Sequence, residues 1–361
     1  MTLIACRLRI HFADDVLEEA FRAEMERAGS RRALVVVDDE AGEAEERLLS
    51  ALPLRASAEV RPVPGGMPDG RAVRALAARY AAGGFDHLVG LGAAGGIDAA
   101  KLARLSLARE AADPAALAPL TTVPGPRGFA AAISDYAASV GAGGERRVVR
   151  EPRLVPTAAI CDPTLTLGAD AGASARAGAA TLARGVGAFL SRGFNPPADG
   201  LALDALSRVL GALPRALERD RLDRRRELMA AALNSALALS KGRGALHAMV
   251  LGLRGATARD LDVGALSAIL LPGLVAHYAR RTGDKAAPLG RALGLRARRG
   301  LASGIAARLA DWPVPTRLSA LGVEARALDD AARLAAADAA AANGPSPVSA
   351  AAARAIYEAA L

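Results

Sequence analysis

Apolar residues follow two kinds of pattern along the 361-residue chain, and one gives way to the other near its middle. Up to about Pro156, short continuous apolar runs alternate with longer stretches of helical period. Ala33-Leu34-Val35-Val36-Val37 ends in Asp38-Asp39, and His87-Leu88-Val89-Gly90-Leu91 ends in glycine. Short runs of this kind, closed by turn-forming residues, predict strands buried on both faces. Residues 71–82 and 97–110 carry apolar side chains at helical spacing, so strand and helix alternate as in a doubly wound sheet.

From Asp162 onward almost everything has the helical period, including residues 201–217, 225–239 and 265–278. The tract 334–342 is nearly all Ala, the strongest helix former, and Asn343-Gly344-Pro345 closes it, which predicts one helix. The division expected is an α/β, Rossmann-like domain over 1–156 and an all-helical domain over 157–361. A chain that is 52% hydrophobic and 23% charged has ample material for two cores, which excludes a disordered protein.

The net charge of +8 adds little to this picture, because basic residues are interleaved with acids, as in Arg221-Leu222-Asp223-Arg224-Arg225-Arg226-Glu227. Aromatic residues make up only 3%, which leaves little to stack on bases, so nucleic acid is not an expected partner. Lys occurs only at 101, 241 and 285. Cys6 and Cys161 have no neighbours at metal-ligand spacing, and neither a disulfide framework nor a zinc site is expected. The N-terminus lacks the pattern of a secretory signal, and the apolar runs fall short of the roughly 18 residues of a membrane span. A cytoplasmic protein is the expectation.

The segment Asp86-His87-Leu88-Val89-Gly90-Leu91-Gly92-Ala93-Ala94-Gly95-Gly96-Ile97-Asp98-Ala99-Ala100-Lys101 carries the first chemical signal. A strand that feeds a small-residue turn and then a helix aims free backbone N–H groups and the positive helix end at an anion such as a diphosphate. The same pattern also serves as plain packing at a strand-to-helix junction.

This stretch resembles the GGGSxxDxxK signature of the iron-containing alcohol dehydrogenase superfamily, with maleylacetate reductase as the branch it most suggests. Gly92-Ala93-Ala94-Gly95 stands for GGGS, and Asp98 and Lys101 keep their places. Further parallels follow in family order: Glu151-Pro152-Arg153-Leu154-Val155-Pro156, Cys161-Asp162-Pro163-Thr164, Asn195-Pro196, Ile269-Leu270-Leu271-Pro272 and Asn343-Gly344-Pro345. The resemblance implies a dinucleotide domain followed by a helical one, dehydroquinate synthase-like in architecture, a homodimer, and hydride transfer between NAD and a carbonyl. It assigns cofactor contacts to Gly92, Ala93, Ala94, Gly95, Gly96, Asp98 and Lys101. Asp38 takes the place of a carboxylate that accepts hydrogen bonds from the adenosine ribose and repels a 2′-phosphate. The family's PTTxxGSE-like loop reads Val123-Pro124-Gly125-Pro126-Arg127-Gly128 here, with Thr121 and Thr122 upstream and out of register.

Family dehydrogenases hold a divalent metal with one Asp and three His. The aligned positions are Ala180, Arg184, His247 and Val263, and a non-ligand histidine of the family appears as Leu251. No metal site is therefore expected. His247 and Arg184 are the candidate catalytic residues, the imidazole as proton donor and the guanidinium in place of the metal's charge. A buried structural histidine and a solvent-directed arginine are the plainer readings of the same pair. Arg127, Arg243 and Arg254 are further candidates for binding a substrate carboxylate. Two functions remain open on these residues: a metal-independent, NAD(H)-linked reductase acting on an oxo-acid, and a pseudoenzyme, partner subunit or non-redox enzyme that keeps the fold.

Overall fold

The computed structural model describes residues 8–39, 41–110, 117–141, 144, 146–257, 259–295 and 300–361. One compact unit extends to Leu167 and another from Gly168 to Leu361. Cys6 lies outside the described residues.

The first unit contains the strands β1 (Arg9–Phe12), β2 (Arg32–Val37), β3 (Ser57–Pro62), β4 (His87–Gly92), β5 (Leu120–Pro124), β6 (Tyr136–Val140), β7 (Arg146–Arg150) and β8 (Ala158–Cys161). Between them run α1 (Leu17–Arg27), α2 (Glu43–Ser50), α3 (Gly70–Ala82), α4 (Ala94–Glu110) and α5 (Phe129–Ile133). Six strands form a parallel sheet in the order β1-β8-β5-β4-β2-β3, and β6 pairs with β7 as an antiparallel ribbon. Alternate residues of β2 enter different cores. Ala33, Val35 and Val37 pack with Leu17, Phe21, Met25 and Leu48 of α1 and α2, while Leu34 and Val36 join Leu76, Ala77, Ala99 and Ala103 of α3 and α4. Burial on both faces is why the run shows no polar alternation.

The register sets Val37 opposite Leu91, which brings Asp38 beside the turn after β4. At the end of β8 the buried Asp162 accepts hydrogen bonds from the backbone N–H of Asp15 (3.0 Å), Leu17 (3.2 Å) and Thr164 (3.0 Å) and from Arg47 (3.1 Å). The Asp-Pro-Thr motif is thus a brace that ties β8 to the start of α1. Cys161 is fully buried and its thiol is pushed up to about 12 by that burial, so it is an inert packing residue.

The second unit is helical: α6 (Ala171–Leu190), α7 (Pro196–Glu218), α8 (Leu222–Leu237), α9 (Ala245–Ala256), α10 (Val263–Tyr278), α11 (Ala286–Ala292), α12 (Leu301–Ala310), α13 (Leu328–Ala337) and α14 (Ala350–Ala359). Side-chain caps start several of these. Asp170 accepts from Gly172 and Ala173, Asn195 from Ala198, and Asp262 from Ala265. The Ala tract is not one helix. Asp338 adopts an extended conformation and its carboxylate accepts the Ala340 N–H at 2.8 Å, which stops α13 and starts a separate 3₁₀ turn over Ala339–Ala342. A carboxylate able to cap overrides the propensity of the alanines around it.

All three lysines hold main-chain carbonyls: Lys101 those of Ala131 (2.8 Å), Ser134 (2.9 Å) and Tyr136, Lys241 that of Phe189 (3.0 Å), and Lys285 those of Phe189 (2.8 Å) and Ser191 (2.9 Å). An ammonium directs three donors from one atom, a geometry a planar guanidinium cannot reproduce.

Candidate active site

The candidate residues fall in two clusters, one in each unit. In the α/β unit, Gly92 has φ +110°, a conformation L side chains rarely adopt, so the chain can leave β4 and enter α4 within two residues. The Asp38 carboxylate then closes the turn. One oxygen accepts the N–H of Ala93 and the other that of Gly96, each at 2.9 Å. The Ala94 and Gly95 N–H groups, by contrast, find no protein acceptor among the described residues. A Cβ on Gly95 would come within 2.5 Å of the Gly66 carbonyl oxygen, so only a bare backbone fits between the loop after β3 and this turn.

The rest of the signature serves the turn from behind. Asp98 is buried and accepts the Ala138 N–H at 2.9 Å, while Lys101 is fully buried on the carbonyls around α5 and β6. Both polar ends are directed at the ribbon that begins with β6. After β5 the loop is tied back by the Gly125 N–H donating to the Gly92 carbonyl at 2.7 Å. Thr121 and Thr122 lie inside β5 and are fully buried. Thr121 meets His87 Nε2 at 2.9 Å, and the Thr122 hydroxyl donates to the Ala132 carbonyl at 2.8 Å.

In the helical unit, α6 carries Ala180 and Arg184 four residues apart, on one face. Two close helix approaches bracket them. A Cβ on Gly264, at the start of α10, would collide with the Arg176 carbonyl, and one on Gly244, before α9, would lie 2.9 Å from the Gly187 Cα. Arg184 and His247 therefore each sit one turn from the Gly187/Gly244 crossing, about 4.5 Å along their own axes. Val263 begins α10 beside Arg176 and is exposed, while Leu251 is half-buried on α9.

The Arg184 Nε donates to the Ser235 hydroxyl at 3.0 Å and its Nη2 to the Thr181 hydroxyl at 3.1 Å. Ser235 and Thr181 escaped the sequence reading. Ser235 lies 51 residues from Arg184, so no local spacing links the two. Of the other arginines singled out, Arg127 is exposed, Arg243 is buried, and Arg254 pairs with Asp260 at 2.9 Å.

The family model "Iron-containing alcohol dehydrogenase" matches residues 8–163, and "Fe-containing alcohol dehydrogenase family, C-terminal" matches residues 174–361. The chain belongs to the iron-containing alcohol dehydrogenase family. It is 32% identical to a 4-hydroxybutyrate dehydrogenase of Cupriavidus necator over 328 residues, covering 84% of this chain and 85% of that one. With a maleylacetate reductase of Rhizobium sp. (strain MTP-10005) it shares 34% identity over 197 residues, 54% of each chain. The crystal structure of maleylacetate reductase from Agrobacterium tumefaciens superposes with a TM-score of 0.85 at 25% identity, covering 100% of this chain and 98% of the other.

As an iron-containing alcohol dehydrogenase family member, the chain invites a test of the four positions that the sequence resemblance assigns to the family's metal ligands. Ala180, Arg184, His247 and Val263 offer one imidazole, one permanent cation and two side chains without a donor atom. That set does not fit a divalent metal, which needs several neutral or anionic donors. Among the described residues, no group of three or more His, Cys, Asp or Glu could hold one. At the start of α4 the Ala94 and Gly95 N–H groups have no protein acceptor among the described residues, which is the chemistry an anion at a helix N-terminus uses, while the Gly66 backbone packs against Gly95. No helix among the described residues is long and apolar enough to cross a membrane.

Proposed function

We propose that this protein is an NAD(H)-linked reductase of oxo-acids that works without a metal, with Arg184 and His247 as its catalytic residues. The observation that carries the reading is a guanidinium on α6 held by two hydroxyls, three residues from the Gly187/Gly244 approach on one helix as His247 is on the other, at a position the resemblance assigns to a metal ligand. The turn from Gly92 to Gly96 would hold the nucleotide diphosphate at the start of α4, and Asp38, Asp98 and Lys101 keep that turn in shape. When bound, the reduced nicotinamide supplies the hydride.

Arg184 binds the carbonyl oxygen. As the carbonyl carbon is reduced, the π pair moves to that oxygen, and the guanidinium stabilises the developing charge. One well-placed donor of this kind is worth about 3 kcal/mol. The His247 imidazolium gives its proton to the oxygen, so carbonyl, hydride and proton become the alcohol. The relatives' names, 4-hydroxybutyrate dehydrogenase and maleylacetate reductase, both point to substrates that bear a carboxylate. The same reading makes the protein a cytoplasmic homodimer.

One observation favours a second reading, a pseudoenzyme or non-redox protein on the same fold. The Asp38 carboxylate already occupies two N–H groups of the turn and brings a negative charge to the place a diphosphate would take.

Calorimetric titration with NADH and NADPH in the presence of a chelator, repeated with iron or zinc, separates the readings. NADH binding, with turnover of 4-oxobutanoate or maleylacetate that survives the chelator and is abolished in Arg184→Ala and His247→Ala, is the expected result. Turnover that requires added metal, or that persists in both variants, removes the proposal, and silence toward nucleotide favours the second reading.

A further inference from the structure

We infer that Ser235 and Thr181 are positioning residues that set the direction of the Arg184 guanidinium. The inference rests on the reading of Arg184 given above. Each hydroxyl has its proton committed elsewhere. Ser235 is fully buried and donates to the Ala232 carbonyl at 2.8 Å, and Thr181 donates to the Ala177 carbonyl at 2.9 Å. With those protons spent inside their own helices, both oxygens turn lone pairs toward Arg184 and can only accept from it. The polarity of the small network is therefore fixed: guanidinium to hydroxyl to main-chain carbonyl, once within α6 and once across to α8.

The two contacts fall on one edge of the guanidinium. Nε–H and the Nη2–H beside it form the lateral fork, and Ser235 and Thr181 take one each. A planar group held at two points of one edge has its plane and its terminal edge determined, so the direction in which the Nη1 and Nη2 ends face is set by the scaffold. Thr181 lies three residues before Arg184 on α6, close enough to reach it on the same face. Ser235 approaches from α8 and stops the long side chain from swinging about its own helix.

The chemistry of the holders matters as much as their position. A carboxylate in either place would fix the guanidinium more tightly but would cancel the charge that a developing oxyanion needs. Two neutral acceptors orient the cation without themselves opposing its charge. This separates Arg184 from Arg225, also anchored by α6 through Ser174 at 2.8 Å, whose Nε pairs with Asp220 at 2.6 Å. Arg225 is braced by a carboxylate, whereas Ser235 and Thr181 hold Arg184 through neutral oxygens.

The test is a double-mutant cycle on the full-length protein with NADH and 4-oxobutanoate. Ser235→Ala and Thr181→Val are each expected to lower kcat about 10- to 100-fold with the KM for NADH unchanged, the size of effect that follows a small misplacement of a reacting group. Ser235→Thr, which keeps the hydroxyl, should restore most of the rate. In an Arg184→Lys background, which lacks Nε, Ser235→Ala should have no further effect. Equal losses in both backgrounds, or losses that track a falling melting temperature, would mean a structural role and overturn the inference. If Arg184→Ala is inactive while Ser235→Ala and Thr181→Val keep full kcat, the inference fails and the reading of Arg184 stands; if Arg184→Ala is fully active, that reading has failed first. A readout independent of turnover is the Arg184 Nε–H resonance in ¹⁵N-labelled protein. It should exchange slowly with solvent and move in Ser235→Ala, and a resonance averaged with those of surface arginines would refute the clamp.

Discussion

Replacing Asp38 by Ala removes the acceptor for two backbone N–H groups at the start of α4, and the structure says how unequal their losses are. The Gly96 N–H is buried and would be left unsatisfied, which costs about 2–3 kcal/mol for a group that had bonded a carboxylate. Ala93 is half-buried and its N–H can recover a water, so its loss is smaller, about 0.5–1 kcal/mol. The sum is about 3 kcal/mol, which for a unit of this size lowers the melting temperature by about 6–12 °C. Asp38→Asn keeps one carbonyl acceptor and is expected to lose about half as much. Calorimetric melting, with hydrogen exchange followed along α4, measures both variants. The same Asn variant is then titrated with NADH and NADPH. If the carboxylate is a brace, NADH affinity is held or rises as the negative charge leaves the helix end, and NADPH is no better bound than before. Stability unchanged to within about 0.5 kcal/mol, together with loss of NADH affinity and gain of NADPH, would show a ribose contact and refute the reasoning.

Two further substitutions probe the scaffold. Burial holds His87, between Ser30 and Thr121, down to about 4 from an ordinary value of 6.5, outweighing the opposite pull of the Asp86 and Glu24 carboxylates. The unfolded chain therefore binds a proton that the folded one refuses between those values, so stability is full above about pH 6.5 and falls by about 3 kcal/mol on acidification to about pH 4. Urea midpoints across that window should drop less steeply in His87→Gln than in the parent, and identical slopes would contradict the assignment. Lys101→Arg should lose about 2–4 kcal/mol, because a planar fork cannot converge on the carbonyls of Ala131, Ser134 and Tyr136; an unchanged melting temperature would show that those carbonyls find other donors.

Much of the fold was legible before any coordinates, and for identifiable reasons. The runs at 33–37 and 87–91 show no polar alternation because helices cover both faces of the sheet, and β2 and β4 form there. Helical period carried residues 201–217 and 265–278 into α7 and α10. The Ala tract misled because propensity says nothing of a single Asp that turns aside to cap. Asp98 and Lys101 were legible as a motif but not as a mechanism, since their partners, Ala138 and the carbonyls about α5, lie 30 residues or more away along the chain.

The amino-acid sequence by itself determined the layers of this protein and its family, because residue identity and hydrophobic period are local properties. Only the tertiary structure decided that Asp38 spends its carboxylate on the Ala93 and Gly96 N–H groups, and that Arg184 is gripped by Ser235 from another helix. A hydrogen bond depends on direction and distance between groups brought together by packing, and no spacing along the chain encodes either.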